Sequence, residues 1–194
     1  MEKPKIKIQI VAFSTNDTYE TPNDFINVFL SNNKHTIQKQ GKNSLAFSLT
    51  NISVNATLKV MICSILNLQR DYPGIQDVNC YLLFVDLEKE TSPQKFDEIL
   101  LYMKNNCDQC KKVFIFALSS NNEKQFITQG DITDKLDREG KDYVIKSTSI
   151  DKLQEINDYF LTILTFSAKH KKDEETDINT EEKNGSESNS CIIY

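Results

Sequence analysis

Cys80 to Ile99 reads CYLLFVDLEKETSPQKFDEI, and this stretch decides the fold class. Its first half is an unbroken apolar run, Cys80 to Leu87, with no polar alternation. That is the pattern of a strand covered on both faces, as in a parallel sheet. Its second half changes period. Ser92-Pro93 is a helix-start pair, and Phe96, Ile99, Leu100 and Met103 recur at helical spacing. Strand followed by helix, with both strand faces apolar, predicts an α/β architecture.

Working outward, KVFIFAL (Lys112 to Leu118) is a second buried strand. A helix is expected over 131–139, opened by Asp131, with Ile132 and Leu136 inward and Gly140 as C-cap. Tyr143 to Ile145 reads as a short strand. Asp151 with Gln154 forms a capping-box pattern before a helix striped by Leu153, Ile156, Phe160, Ile163 and Leu164. On the N-terminal side, Lys5 to Phe13 is strand-like. Thr21 then Pro22 reads as an N-cap and first helical residue, followed by Phe25, Val28 and Phe29. Residues 31–44 and 66–79 read as loops. Leu45 to Leu49 and Thr57 to Ile65, joined by NISVNA, read as an antiparallel pair. The expectation is a three-layer, mostly parallel six-stranded sheet with one antiparallel edge strand.

The 194 residues suit one domain over 1–168 and a tail over 169–194 that is too polar to fold alone. A net charge of −5 argues against a nucleic-acid partner. No apolar stretch has spanning length. The start, MEKPKIKI, has no secretory h-region, and its second residue is Glu2 where myristoylation needs a glycine. Cys63 and Cys80 sit in apolar runs and read as buried thiols, as expected in a reducing, cytoplasmic compartment. Cys107 and Cys110 form a lone CxxC without the second pair that a zinc site requires, so no metal is expected. A redox role for that pair needs a depressed thiol pKa. His35 and His170 stand in polar stretches with no nucleophile motif beside them, so no catalytic residue is assigned.

The element order, IKIQIV before its turn and helix, the apolar run ending in Asp86 before a helix, and the ending CIIY together resemble the Ras/Rab-like small GTPases, a P-loop NTPase-like fold. The resemblance covers nearly the whole chain. It implies a phosphate loop at AFSTNDTY, where glycines would be replaced by Ala12 and Asp17, lysine by Thr18 and the metal-binding hydroxyl by Tyr19. It implies a DxxG at Cys63, Ser64 and Ile65, and a base-reading NKxD at Leu118, Ser119 and Asn121. None of these positions keeps the group that does the chemistry. Phe13 and Tyr19 are expected to fill the vacated volume. The resemblance therefore implies a pseudo-GTPase, with no cofactor and no nucleotide, acting on protein partners through loops 31–44 and 66–79. It also makes 169–194 a hypervariable-type tail with Cys191 as a prenylation site, for weak attachment to the cytosolic face of a membrane. Two alternatives stand beside it: a divergent but GTP-binding GTPase, and a structural subunit resembling centromere protein M.

Overall fold

A computed structural model describes residues 6–16, 20–41, 44–49, 54–62, 78–106, 112–120, 124–149, 152 and 154–169. Among the described residues seven strands form one sheet: β1 (Ile6–Ser14), β2 (His35–Gly41), β3 (Ser44–Leu49), β4 (Val54–Ile62), β5 (Cys80–Asp86), β6 (Lys112–Leu118) and β7 (Asp142–Thr148). The described helices are α1 (Glu20–Ser31), α2 (Ser92–Asn106), α3 (Gln129–Arg138) and α4 over 154–169. The sheet order is β2-β3-β4-β1-β5-β6-β7. β1 pairs in parallel with β4 and β5, and β6 in parallel with β5 and β7.

The continuous apolar runs have the cause expected of them. Side chains alternate between faces along a strand, so a strand buried on both sides must be apolar throughout. In β5, Cys80, Leu82 and Phe84 join one core cluster, and Tyr81, Leu83 and Val85 join the other. β6 divides likewise, with Phe114 and Phe116 against Val113, Ile115 and Ala117. The first cluster is closed by α1 and α4, through Phe25, Phe29, Ile156 and Phe160. The second is closed by α2 and α3, through Phe96, Ile99, Ile132 and Leu136. The result is three layers.

The sheet has seven strands where six were expected. The additional strand, β2, lies inside the 31–44 segment expected to be loop. HTIQKQG has almost no apolar face, so hydropathy cannot mark it. It is held by its antiparallel ladder to β3, with a register shift between Ile37 and Lys39. The amide of Gln38 also donates to Ser48 Oγ at 2.6 Å. β2 therefore takes the sheet edge. The antiparallel strand near 45–49 exists, but it lies between β2 and β4 and is not an edge.

Several boundaries also move. β4 (Val54–Ile62) begins three residues before the expected Thr57, and Cys63 and Ile65 lie outside the described residues. β7 is longer than Tyr143 to Ile145. α1 begins at Glu20, which places Pro22 in its first turn, where the missing N–H has no intrahelical acceptor to lose. Gln154 donates forward to Asp158 at 2.8 Å; Asp151 lies outside the described residues.

α3 starts before Asp131. Thr128 is its N-cap: Thr128 Oγ1 accepts from the Asp131 N–H at 3.1 Å, and Asp131 Oδ2 accepts from the Thr128 N–H at 2.8 Å. Gly140 follows the C-cap at φ 62°, the left-handed conformation favoured by glycine. The Thr128 side-chain and backbone hydrogen bonds hold the Asp131 carboxyl below its ordinary value of 3.8. A carboxyl lowered by folding stabilises the fold above its unfolded pKa, and that contribution disappears as pH falls through the folded value. Asp131→Asn is therefore expected to lower the urea midpoint at neutral pH and to leave it nearly unchanged at about pH 2. An equal loss at both pH values would contradict the cap's electrostatic part.

Candidate functional site

In open α/β sheets, ligands bind outside the carboxyl ends of the strands, where the strand order reverses. Here that place is the rim between β1 and β5, since β1 leads toward β4 on one side and β5 leads toward β6 on the other. A cavity of about 310 Å³ lies there. It is lined by Asn16 after β1, Asp24 and Phe25 of α1, Asp86 and Glu88 at the end of β5, Leu118, Ser119 and Ser120 at the end of β6, and Ser149 after β7. Its size is at the small end for ligand pockets, which run from about 300 to 1,000 Å³.

Local chain chemistry builds this rim. Asp86 ends β5, and its Oδ1 accepts from the Glu88 N–H at 3.1 Å, a side-chain-capped turn. Leu87 is buried inside the turn, and its N–H donates to Leu118 O at 2.9 Å. Glu88 is thereby carried over the end of β6. Its carboxylate accepts from Ser119 Oγ at 2.8 Å, the Ser120 N–H at 2.8 Å and Ser120 Oγ at 2.5 Å. The loop where the resemblance would put a base-reading Asn and Lys is thus tied down from β5 by an acid.

Thr15 performs the same service one strand away. It is fully buried, and its N–H donates to Phe84 O at 2.9 Å, extending the β1–β5 ladder past Ser14. Its Oγ1 accepts from the Asp86 N–H at 3.0 Å and from Ser92 Oγ at 2.9 Å. One hydroxyl thus joins the ends of β1 and β5 to the start of α2.

The β1–α1 junction is a strand end more than a loop. Ala12, Phe13 and Ser14 are paired on both sides, with Val60, Met61 and Ile62 of β4 and with Leu82, Leu83 and Phe84 of β5. A phosphate cradle needs backbone N–H groups turned toward the ligand. Over Ala12 to Ser14 the backbone belongs to the sheet, and only 15–19 connects β1 to α1.

Among the described lining residues there are three carboxylates, Asp24, Asp86 and Glu88, and no lysine or arginine. Triphosphate recognition relies on the opposite sign of charge. No group of three or more His, Cys, Asp and Glu among the described residues could hold a metal ion.

The residues singled out in the sequence are only partly brought together. Leu118 and Ser119 line the cavity. Ala12 is buried in the core cluster shared with α1 and α4 and does not line the cavity. Phe13 turns to the opposite layer, against Tyr81 and Tyr102 at ring-centroid distances of 5.7 Å, and so does not fill the cavity. Asp17, Thr18, Tyr19, Cys63, Ile65, Cys107, Cys110, Asn121 and Cys191 lie outside the described residues, as does nearly all of 66–79. Cys80 is a buried cysteine whose Sγ accepts from Ser167 Oγ at 3.1 Å. Thr15, Glu88 and Ser120 belong to no motif. Their signal is positional: short polar residues and a carboxylate directly after buried strands.

The fold and rim define an α/β protein with a three-layer sandwich and an acidic crevice at the carboxyl edge of its sheet. No known protein-family model matches the chain, and no curated protein matches it in sequence. No helix among the described residues is long and apolar enough to cross a membrane.

Proposed function

We propose that this chain is a small-GTPase-like domain that works without nucleotide, as a protein-interaction module. The observation that carries the reading is the rim crevice: three carboxylates, no described cation, and a β1 strand whose ladder continues through Ala12–Ser14. A triphosphate placed there would meet like charge in a partly desolvated site. The sheet order supports the kinship part of the reading. Strands β3-β4-β1-β5-β6-β7, with β3 alone opposed, follow the arrangement implied by the resemblance, and β2 is added outside it.

With no γ-phosphate to order switch segments, partner contact falls to fixed surface. β2 offers such a surface. Among the described residues it is an edge strand, and Ile37 on it is 47 % exposed. Lipid attachment at Cys191 belongs to the same proposal. It is checked by detergent-phase partition of the expressed protein against Cys191→Ser.

The deciding experiment is nucleotide content. Protein purified with Mg²⁺ is denatured and its supernatant resolved by ion exchange, and native protein is titrated with fluorescent GDP. The expected result is no released nucleotide and a flat titration into the high micromolar range. Near-stoichiometric GDP or GTP would overturn the reading and establish the divergent GTPase instead.

A further inference from the structure

The two edges of the sheet differ in chemistry. At one edge, β2 is nearly all polar. At the other, β7 carries three consecutive apolar residues, Tyr143, Val144 and Ile145. Apolar residues on both faces are the mark of a strand inside a sheet, as in β5 and β6. Yet Tyr143, Val144 and Ile145 are each only half-buried. Val144 packs at the margin of one core cluster, and Tyr143 and Ile145 at the margin of the other. Among the described residues no strand lies beyond β7. An apolar edge of this kind is a template for a further strand.

The backbone of β7 is set for such pairing. The Tyr159 hydroxyl donates to Val144 O at 2.6 Å and accepts from the Ile115 N–H of β6 at 3.1 Å, so the Val144 carbonyl faces β6. Backbone groups alternate in direction along a strand, which turns the N–H and C=O of Tyr143 and Ile145 outward.

The side chains specify the occupant. Laid antiparallel to a second copy, with Val144 opposite Val144, β7 sets Tyr143 against Ile145 and Asp142 against Lys146, and the two-fold axis repeats both pairs. Aromatic–β-branched and opposite-charge pairs are the favourable cross-strand pairs. An axis at Ile145 instead sets Val144 against Lys146 and Asp142 against Thr148, and loses the match. Within one chain Asp142 already meets Lys112 at 3.0 Å, and Lys146 meets Glu155 at 3.2 Å. These contacts do not compete with the seam. They extend it into a row of alternating sign, Lys112 and Asp142 from one copy followed by Lys146 and Glu155 from the other. The Asp142 side chain is 64 % exposed and open to this second cation.

We propose that β7 is a homodimer edge, at which two copies join antiparallel about Val144 into one continuous sheet. Tyr143 of each copy exchanges both backbone hydrogen bonds with Ile145 of the other. One short ladder makes a small interface, in the weak and transient class. This inference does not depend on whether the rim crevice takes nucleotide.

The test is sedimentation equilibrium of the full chain from about 5 to 500 µM, joined to oxidative cross-linking. The wild type is expected to pass from monomer to dimer across that range. Ile145→Lys, which sets a charge against Tyr143, is expected to weaken association at least about tenfold. Circular dichroism checks that it folds, and Ile145→Ala serves if it does not. Cross-linking reads the register. Val144 sits opposite itself in a non-hydrogen-bonded pair, with Cα atoms about 4.5 Å apart, within disulfide reach. Val144→Cys is therefore expected to give a disulfide dimer well above the background set by the native cysteines. Ile145→Cys, whose counterpart across the seam is Tyr143, is expected to give no more than that background. A wild type that stays monomeric, an association indifferent to the Ile145 substitution, or cross-linking no greater at 144 than at 145 would each overturn the proposal.

Discussion

Phe116→Ala is expected to lower the unfolding free energy by about 3–5 kcal/mol, the usual cost of deleting a fully buried phenylalanine. Phe116 is fully buried in β6. Its ring meets Phe25 of α1 at 5.0 Å, Phe84 of β5 at 5.2 Å, and Tyr159 and Phe160 of α4 at 4.8 and 5.4 Å. Such contacts contribute beyond the area they bury. The site cannot collapse when the ring is removed. β6 is fixed between β5 and β7, and the residues above it belong to two helices from opposite ends of the chain. Tyr159 is further pinned, its hydroxyl donating to Val144 O at 2.6 Å and accepting from the Ile115 N–H at 3.1 Å. Urea unfolding followed by circular dichroism should show a lower midpoint with the slope unchanged. Phe126→Ala is the control, because Phe126 is 41 % exposed and its loss should fall within about 0.5 kcal/mol. A Phe116→Ala loss no larger than that control would mean that this aromatic group is not the centre of the core.

Thr15→Val is expected to cost about 2–4 kcal/mol, even though it keeps the side chain's shape. The reason is what remains behind. The Asp86 N–H and the Ser92 hydroxyl both donate to Thr15 Oγ1, and Ser92 is fully buried. Each donor would lose its acceptor at about 1–3 kcal/mol. Thr15→Ser keeps the hydroxyl and loses one methyl, so its cost is expected near about 1 kcal/mol. The difference between the two variants isolates the hydrogen bonds from the packing. Because the same hydroxyl sets the ends of β1 and β5, Thr15→Val should also raise amide exchange at Asp86 and Glu88 above that at the middle of β5. Equal stability of the two variants would show that the hydroxyl has no structural role.

The parts of this protein that are legible in its sequence share one property: their signal is local. The apolar runs of β5 and β6 name strands with two covered faces, and the Phe96–Ile99–Leu100–Met103 stripe names a helix on a sheet. Gly140 after α3 is readable because a left-handed residue there favours glycine. β2 is not readable, since HTIQKQG buries little and is held by backbone bonds to β3 rather than by a hydrophobic face. The cap of α3 lies three residues ahead of the expected Asp131 for a related reason. Thr128 and Asp131 are both capping residues, and only the reciprocal bonds show which one is the cap.

The sequence by itself determined that helices alternate with strands, that the sheet is mostly parallel and covered on both faces, and that the 169–194 composition differs from the rest. Those follow from periodicity and burial, which neighbours a few residues apart already express. Only the tertiary structure decided the strand order, the placing of β3 inside the sheet, and the making of the rim crevice. Thr15 meets Ser92 across 77 residues, and Glu88 meets Ser119 across 31. No local pattern encodes such a meeting, because it depends on which strands become neighbours. That choice is settled by the packing of the whole core rather than by any one segment.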